Sequence, residues 1–403
     1  MTGPLADIRV LELIEKGPGA HVTMMLADMG ADVIKVEPPA RGRESGSGGS
    51  PAAEHARLQA ANISNRGKRS MVLDLKSSDG QQILQRLVQQ VDVVVEGFRP
   101  GVTARLRADY DALSACNSKL IYCSLSGYGQ DGPYRDLPGH DINYISMAGI
   151  LNLVGGLGGP PVVPPNLIAD FGGAALHAVC GIVMALYARC RTGRGQHVDI
   201  SYLDSALSLL GATRPIREYL SEGRVARRGA GALGGSFPYY AVYETRDGRY
   251  ISVGCVEPWL WANLCRAVGR ADLLDGGPKP ADFHESASPR QLECRTELAA
   301  LFRTRTRDEW FELLSPANVC VGKVYDIPEI FDDPHLRHRG MVPRVPHPQL
   351  GEVAQIGIAI KLSDTPGSIR GLAPWRGQHA DEILADLGYE AAEITRFRSN
   401  RVI

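Results

Sequence analysis

His140 and Asp170 are the two side chains in this sequence best suited to chemistry. His140 stands in Pro138-Gly139-His140-Asp141-Ile142-Asn143-Tyr144, and Asp170 in Asn166-Leu167-Ile168-Ala169-Asp170-Phe171-Gly172-Gly173. Each opens an apolar stretch that reads as a helix, so both groups are expected at helix N-termini facing a common space. A neutral imidazole and a carboxylate so placed can take a proton from one face of a carbon and return one on the other. That chemistry is epimerisation, rather than hydrolysis or hydride transfer. Each residue also has a plainer reading: His140 as a helix-start residue with a satisfied imidazole, Asp170 as an ordinary N-cap.

Two arginines add a binding element. Arg99 and Arg105 follow the apolar run Val91 to Glu96, in Gly97-Phe98-Arg99-Pro100-Gly101-Val102-Thr103-Ala104-Arg105. The carboxyl end of a parallel strand is where doubly wound sheets bind ligands. A guanidinium there suits phosphate, since its fork donates two parallel hydrogen bonds. For Arg105 a surface position on a loop is an equal alternative.

The elements that must position these groups follow from apolar spacing. Ile8 to Leu13 reads as a strand, Gly17-Pro18-Gly19 as a turn, and Val22, Met25, Leu26 and Met29 as one helix face ended by Gly30. Ala31 to Val36, Ser70 to Leu75, Val91 to Glu96, Leu120 to Leu125 and His197 to Ile200 read as further strands. A helix striped by Ile83, Leu84, Leu87 and Val88 lies between two of them. Such alternation implies an α/β fold, with a Rossmann-like parallel sheet buried on both faces. Residues 39–66, rich in Gly, Ser, Arg and Ala, read as an excursion from the sheet.

A long helical stretch from Tyr202 to about Leu220 precedes the Gly- and Arg-rich segment 223–235. Beyond it, Tyr239 to Thr245 and Tyr250 to Val253 form a hairpin about Asp247-Gly248, and helices are expected over Trp259–Val268 and Gln291–Phe302. The predicted division is a large domain of residues 1–200 and 335–403, a helical linker 201–229, and a small α+β domain 230–334. A last helix, Asp381–Leu387, and a polar-faced tail close the chain.

Composition bounds the function. The chain has 403 residues, 44% of them hydrophobic and 22% charged, with formal net charge −1. Near-neutral charge gives no reason to expect nucleic-acid or membrane binding. The longest apolar run, Ala174 to Ala188, is too short to span a bilayer and reads as a buried helix. The N-terminal residues lack the basic and apolar regions of a secretory signal. Eight cysteines without a C-x-x-C pair fit a reducing cytoplasm and core positions. Several tempting matches fail. Gly67-Lys68-Arg69-Ser70 lacks the upstream glycine of a P-loop, Gly155-Gly156-Leu157-Gly158-Gly159 lacks dinucleotide-binding spacing and reads as a flexible loop, and His335 with His338 has no third ligand for a metal.

Taken together, these segments resemble the α-methylacyl-CoA racemases, within the class III CoA-transferase (CaiB/BaiF) superfamily, over nearly the whole chain. The resemblance is carried by Arg9 to Leu13, Met24 to Glu37, Asp74-Leu75-Lys76 and Glu96 to Val102. Gly139 to Tyr144, Asp170 and Gly254-Cys255-Val256-Glu257-Pro258 mark the racemase branch, which has His at position 140. It implies an interlocked homodimer acting on an acyl-CoA thioester, without a separate cofactor. It implies that His140 and Asp170 are the acid/base pair, with Glu257 hydrogen-bonded to His140. By position, Leu73, Asp74, Leu75, Lys76, Gly97, Phe98, Arg99, Arg105, Gly139, Asp141, Ile142, Asn143 and Tyr144 would contact the CoA thioester. Pro38 stands where racemases often carry Arg, so Arg41 or Arg43 is expected to supply a phosphate contact. Ser236-Phe237-Pro238, Trp259 and Trp261 imply a bulkier acyl-pocket wall.

Overall fold

Six short strands frame the larger part of the molecule in a computed structural model, which describes residues 3–14, 17–39 and 52–403. They are β1 (Arg9–Leu13), β2 (Asp32–Glu37), β3 (Arg69–Val72), β4 (Val93–Glu96), β5 (Ile121–Ser126) and β6 (His197–Ser201). All pair in parallel, in the order β3-β2-β1-β4-β5-β6. This is the strand order of a Rossmann-like sheet.

Alternation along the strands divides the core in two. Leu11, Leu13, Ile34, Val36 and Met71 face one side, against Ile83, Leu84, Leu87 and Val88 of the Ser78–Gln89 helix. Val10, Val33, Val93, Val95, Ile121 and Cys123 face the other, against the helices Gly19–Asp28 and Leu176–Thr192. Covering on both faces is why the strands read as continuous apolar runs. One buried polar cluster interrupts the second face. Glu12, fully buried, accepts hydrogen bonds from Thr23 Oγ1 at 2.6 Å and Lys68 Nζ at 2.7 Å, and Lys35 Nζ lies 3.6 Å away. Burial pushes the Lys68 ammonium down to about 8, and Glu12 opposes that shift.

The chain divides into two compact units. The first holds residues 1–145, 166–208 and 331–403; the second holds 146–165 and 209–330. Residues 146–165, assigned from the sequence to the large domain, therefore belong to the second unit, as does most of the proposed linker. The stretch expected as one helix from Tyr202 is two, Tyr202–Gly211 and Arg214–Glu222. Pro215 is tolerated in the first turn of the second but not in a helix interior, where its ring would clash with the preceding turn, and the chain breaks at Thr213. The second unit contains an antiparallel sheet of β7 (Tyr240–Glu244), β8 (Tyr250–Gly254) and β9 (Val321–Lys323). β9 is too short to announce itself in sequence. Arg228 pins the 155–159 segment by donating to Gly159 O at 3.0 Å, so that glycine loop is tied down.

Three further expectations are corrected. Residues 52–60, inside the expected loop excursion, form a helix. The tail is not polar-faced: a helix spans Ala391–Ser399, and Ile394, Phe397 and Val402 are buried in the core. The run Ala174–Ala188 lies in a continuous helical segment, Leu167–Thr192, that is only about one-third buried. Its length and mean hydropathy of 1.8 would suffice to cross a membrane. Ala178, Ile182, Ala185 and Leu186 pack against the sheet, while Val183, Met184 and Tyr187 are exposed.

Candidate active site

His140 immediately precedes the helix Asp141–Met147. Its carbonyl accepts the N–H groups of Asn143 at 2.8 Å and Tyr144 at 3.2 Å, and its own N–H donates to Asn143 Oδ1 at 3.0 Å. The backbone of His140 thus does the capping, and its exposed imidazole is spare for another role.

Asp170 is not an N-cap. It lies in the first turn of a π-helical segment, Leu167–Ala175, a geometry uncommon in proteins and frequent at functional sites. The cap is supplied from elsewhere in the chain. Asp141, only 3% exposed, accepts the N–H of Ala169 at 2.8 Å and of Asp170 at 3.0 Å through Oδ2. The residue after His140 therefore holds the backbone of Asp170. The Asp170 carboxylate itself accepts a hydrogen bond from Asn166 Nδ2 at 3.3 Å. Burial holds the Asp170 carboxyl above the usual carboxylate range; Asn166 lowers it, the Asp141 charge raises it, and His140 lowers it. The two candidate acid/base groups are thus near enough to sense each other's charge.

A cavity of about 520 Å³ lies at the carboxyl ends of β4 and β5. Its wall comprises Gly97 to Pro100, Leu125 to Gly127, Arg135, Leu137 to His140, Asn143, Tyr144 and Tyr202. Of the residues expected at the site, it brings together Gly97, Phe98, Arg99, Gly139, His140, Asn143 and Tyr144. Asp141 and Asp170 lie behind and beside this wall rather than in it. Gly139 is required by the close approach of Tyr144, since a Cβ there would meet Tyr144 Cε1 at 2.6 Å and the Tyr128 hydroxyl at 2.9 Å. Tyr144 stacks on Tyr202 at 5.2 Å between ring centroids and meets Tyr128 edge-on at 5.3 Å. Burial raises the Tyr144 hydroxyl well above its ordinary value, so Tyr144 is neutral near pH 7.

Other expected contacts fall elsewhere. Leu73 is 1% exposed with its side chain in the core, and its N–H donates to Glu37 O at 2.9 Å. Asp74 Oδ1 accepts the Lys76 N–H at 3.0 Å, closing a turn after β3 in which Leu75 packs on the core. Lys76, Arg105 and Ile142 are exposed outside the cavity wall. Arg41 and Arg43 lie outside the described residues. Glu257 begins the helix Pro258–Ala267 in the second unit, through its backbone and without a side-chain cap. Phe237 and Trp261 do not form a bulky pocket wall: at 0% and 2% exposure they belong to the second unit's core, packed against Tyr239. Trp259 is 62% exposed.

Tyr202, Arg135 and the Leu125–Gly127 strand end were not singled out in the sequence. Tyr202 could have been found from its place directly after a parallel strand; Arg135, in an irregular turn, gave no signal. Among the described residues no cluster of three His, Cys, Asp or Glu side chains could hold a metal.

A parallel sheet in this order, with a cavity at its carboxyl ends and an imidazole and a carboxylate whose backbone segments one buried aspartate ties together, defines an α/β enzyme. Residues 5–380 match the sequence profile of CoA-transferase family III, and the chain belongs to that family. It is 33% identical to the α-methylacyl-CoA racemase of Mus musculus, over 99% of this chain and 97% of the relative. It is 34% identical to a succinyl-CoA–D-citramalate CoA-transferase of Chloroflexus aurantiacus, over 99% and 98%. A crystal structure of a CaiB/BaiF family protein from Brucella suis superposes with a TM-score of 0.78 at 30% identity, covering 96% of this chain and all of that one (100%). The protein is thus an enzyme of the superfamily that contains both racemases and CoA-transferases.

Proposed function

We propose that the protein inverts the α-carbon of an acyl-CoA thioester of 2-methylacyl type, by 1,1-proton transfer through an enolate. The observation that carries this reading is the Asp141 carboxylate. It follows His140 in the chain and holds the Asp170 N–H at 3.0 Å, so one buried group ties together the two backbone segments that carry the proposed bases.

In this mechanism one of His140 and Asp170 removes the α-proton while the other delivers a proton to the opposite face. The raised Asp170 carboxyl suits it to carry a proton in one direction and accept one in the other. A backbone N–H at the start of the 141–147 helix would face the thioester oxygen; losing one such donor costs roughly 3–4 kcal/mol in barrier. Contacts with the CoA phosphates and backbone, assigned to Arg41, Arg99, Arg105 and the Leu73–Lys76 turn, would hold the reacting carbon in place. Glu257 keeps the role that the resemblance implies, as partner of the His140 imidazole. CoA is part of the substrate, so no separate cofactor or metal enters the reaction.

The protein is further proposed to be a cytoplasmic homodimer in lipid metabolism. The exposed row Val183, Met184 and Tyr187 supports a second copy of the chain as its cover. Those residues share a helix with four that pack on the sheet, which ties it to a globular unit rather than a bilayer.

The competing reading is CoA transfer between carboxylic acids, with Asp170 as nucleophile forming an anhydride and then an aspartyl-CoA thioester. The likeness to the Chloroflexus transferase favours it. His140 separates the two, because transfer has no need of a second proton-carrying group there. The test is to supply one C2 epimer of a 2-methylacyl-CoA with no carboxylate acceptor. A racemase converts it to a mixture of both epimers. A transferase leaves it unchanged, and its acyl-Asp170 adduct is trapped by borohydride.

A further inference from the structure

Behind the cavity lies a polar chain that the proposed reaction does not use. Glu96 ends β4, and is 2% exposed. Its Oε2 accepts the N–H of Phe98 at 2.8 Å, and Phe98 belongs to the Gly97–Pro100 loop that walls the cavity. Ser124, opposite Glu96 on β5 and also buried, favours the charged form of the Glu96 carboxyl. The same Ser124 hydroxyl lies 2.9 Å from Nε2 of His197, at the start of β6. His197 is exposed and stacks on Tyr110 at 5.4 Å between centroids. A row of polar groups, paired across neighbouring strands, thus runs from solvent to the carboxylate that anchors the loop.

We propose that Glu96, Ser124 and His197 form a proton path to the Gly97–Pro100 loop, and that the charge on Glu96 sets how firmly this loop holds an acyl-CoA. The proposal rests on the reading of the cavity as the acyl-CoA site. It makes Glu96 a positioning residue, acting on the ligand through the Phe98 amide.

The proton balance is simple. With Glu96 ionised, the Ser124 hydroxyl donates to it, and Nε2–H of His197 donates to Ser124. When a solvent proton enters at His197 Nδ1, the Nε2 proton passes to the Ser124 oxygen and the original hydroxyl proton passes to Glu96. Glu96 is then neutral and donates to Ser124, which donates to Nε2. One proton has been gained, and the histidine has changed tautomer.

The surroundings fit such a group. Asp199 of β6 faces Glu96 and disfavours its charge, Tyr122 and Cys123 of β5 and Tyr202 after β6 feel that charge, and among the described residues no cation pairs with it. Asp199 and Asp111 flank His197, whose imidazole is held below its ordinary value first by burial. Burial pushes the Glu96 carboxyl up to about 7, so both states are populated near neutrality. An ionised acceptor holds an N–H more strongly than a neutral one. The loop should therefore be firmest above neutrality.

The test uses an acyl-pantetheine thioester, which lacks the phosphates of CoA that themselves titrate. From about pH 6 to about pH 8 the wild-type KM should fall by about threefold to tenfold. Glu96→Gln, which mimics the neutral carboxyl, should stay on the acidic plateau throughout. In parallel, nitrogen NMR of the wild type should show His197 exchanging one tautomer for the other over the same range, a change lost in Ser124→Ala. Equal pH slopes in wild type and Glu96→Gln, or a wild-type His197 tautomer that does not change, overturn the proton path while leaving the racemase reading intact. Failure of the wild type to bind any acyl-CoA removes both.

Discussion

The Asp141 carboxylate holds Asp170 by its backbone N–H rather than by its acid group. Asp141 Oδ2 accepts the N–H of Asp170 at 3.0 Å, and of Ala169 at 2.8 Å. Removing that acceptor strands two donors at the start of a π-helical turn. Asp141→Ala should lower unfolding stability by about 2–4 kcal/mol. It should also lower kcat by about 100-fold, because the Asp170 carboxyl loses its position. Asp141→Asn keeps one oxygen acceptor and should lose less of both. Denaturant titration and epimer-conversion rates on the two variants check this.

Gly139 offers a steric counterpart. A Cβ at this position would stand 2.6 Å from the Tyr144 ring, which cannot retreat because it is stacked on Tyr202. Gly139→Ala should cost about 1–3 kcal/mol in stability. It should raise KM for acyl-CoA, since Gly139 and His140 move with the displaced ring. Melting temperature and KM measured together separate this from a purely catalytic loss.

Glu96 makes a prediction about stability as well as binding. Its carboxyl stands at about 7 in the fold against an ordinary 4.5. The folded state therefore holds a proton that the unfolded chain releases between those values. The resulting stabilisation is complete below about pH 4.5 and is lost as pH rises through about 7. Relative to Glu96→Gln, which does not titrate, the wild type should lose about 3–4 kcal/mol across that window and then level off. Parallel unfolding curves at a series of pH values give the difference directly, and a flat difference would show that Glu96 does not hold its proton.

The exposed row on the Leu167–Thr192 segment bears on assembly. If a second copy covers Val183, Met184 and Tyr187, burying a lysine ammonium among them is costly. Met184→Lys should shift sedimentation from dimer towards monomer while leaving the fold intact by circular dichroism. A dimer unchanged in this variant, or a wild-type monomer, would remove that assignment.

The sheet was legible because both its faces are covered. Strands such as Val93–Glu96 show apolar runs that no surface strand would carry, and the helices Gly19–Asp28 and Ser78–Gln89 announced themselves by spacing. What escaped detection depends on partners distant in sequence. The tail helix Ala391–Ser399 looks polar because only Ile394 and Phe397 reach the core. Trp261 looked like a pocket residue from its place after Glu257, and Phe237 from the resemblance, yet both fill the second unit's core. At the site, the residue types of His140 and Asp170 could be read, but not the way they are held. Nothing local in the sequence says that the Asp141 carboxylate caps a segment 28 residues further on.

The most direct test of the two-base reading is α-hydrogen exchange in D2O, with a 2-methylacyl-CoA and no carboxylate acceptor. The wild-type protein should incorporate deuterium at the α-carbon of both epimers, while His140→Ala and Asp170→Ala each abolish interconversion. Undiminished interconversion in either variant, or no α-deuterium in the wild type alongside CoA transfer to an added acid, would contradict it.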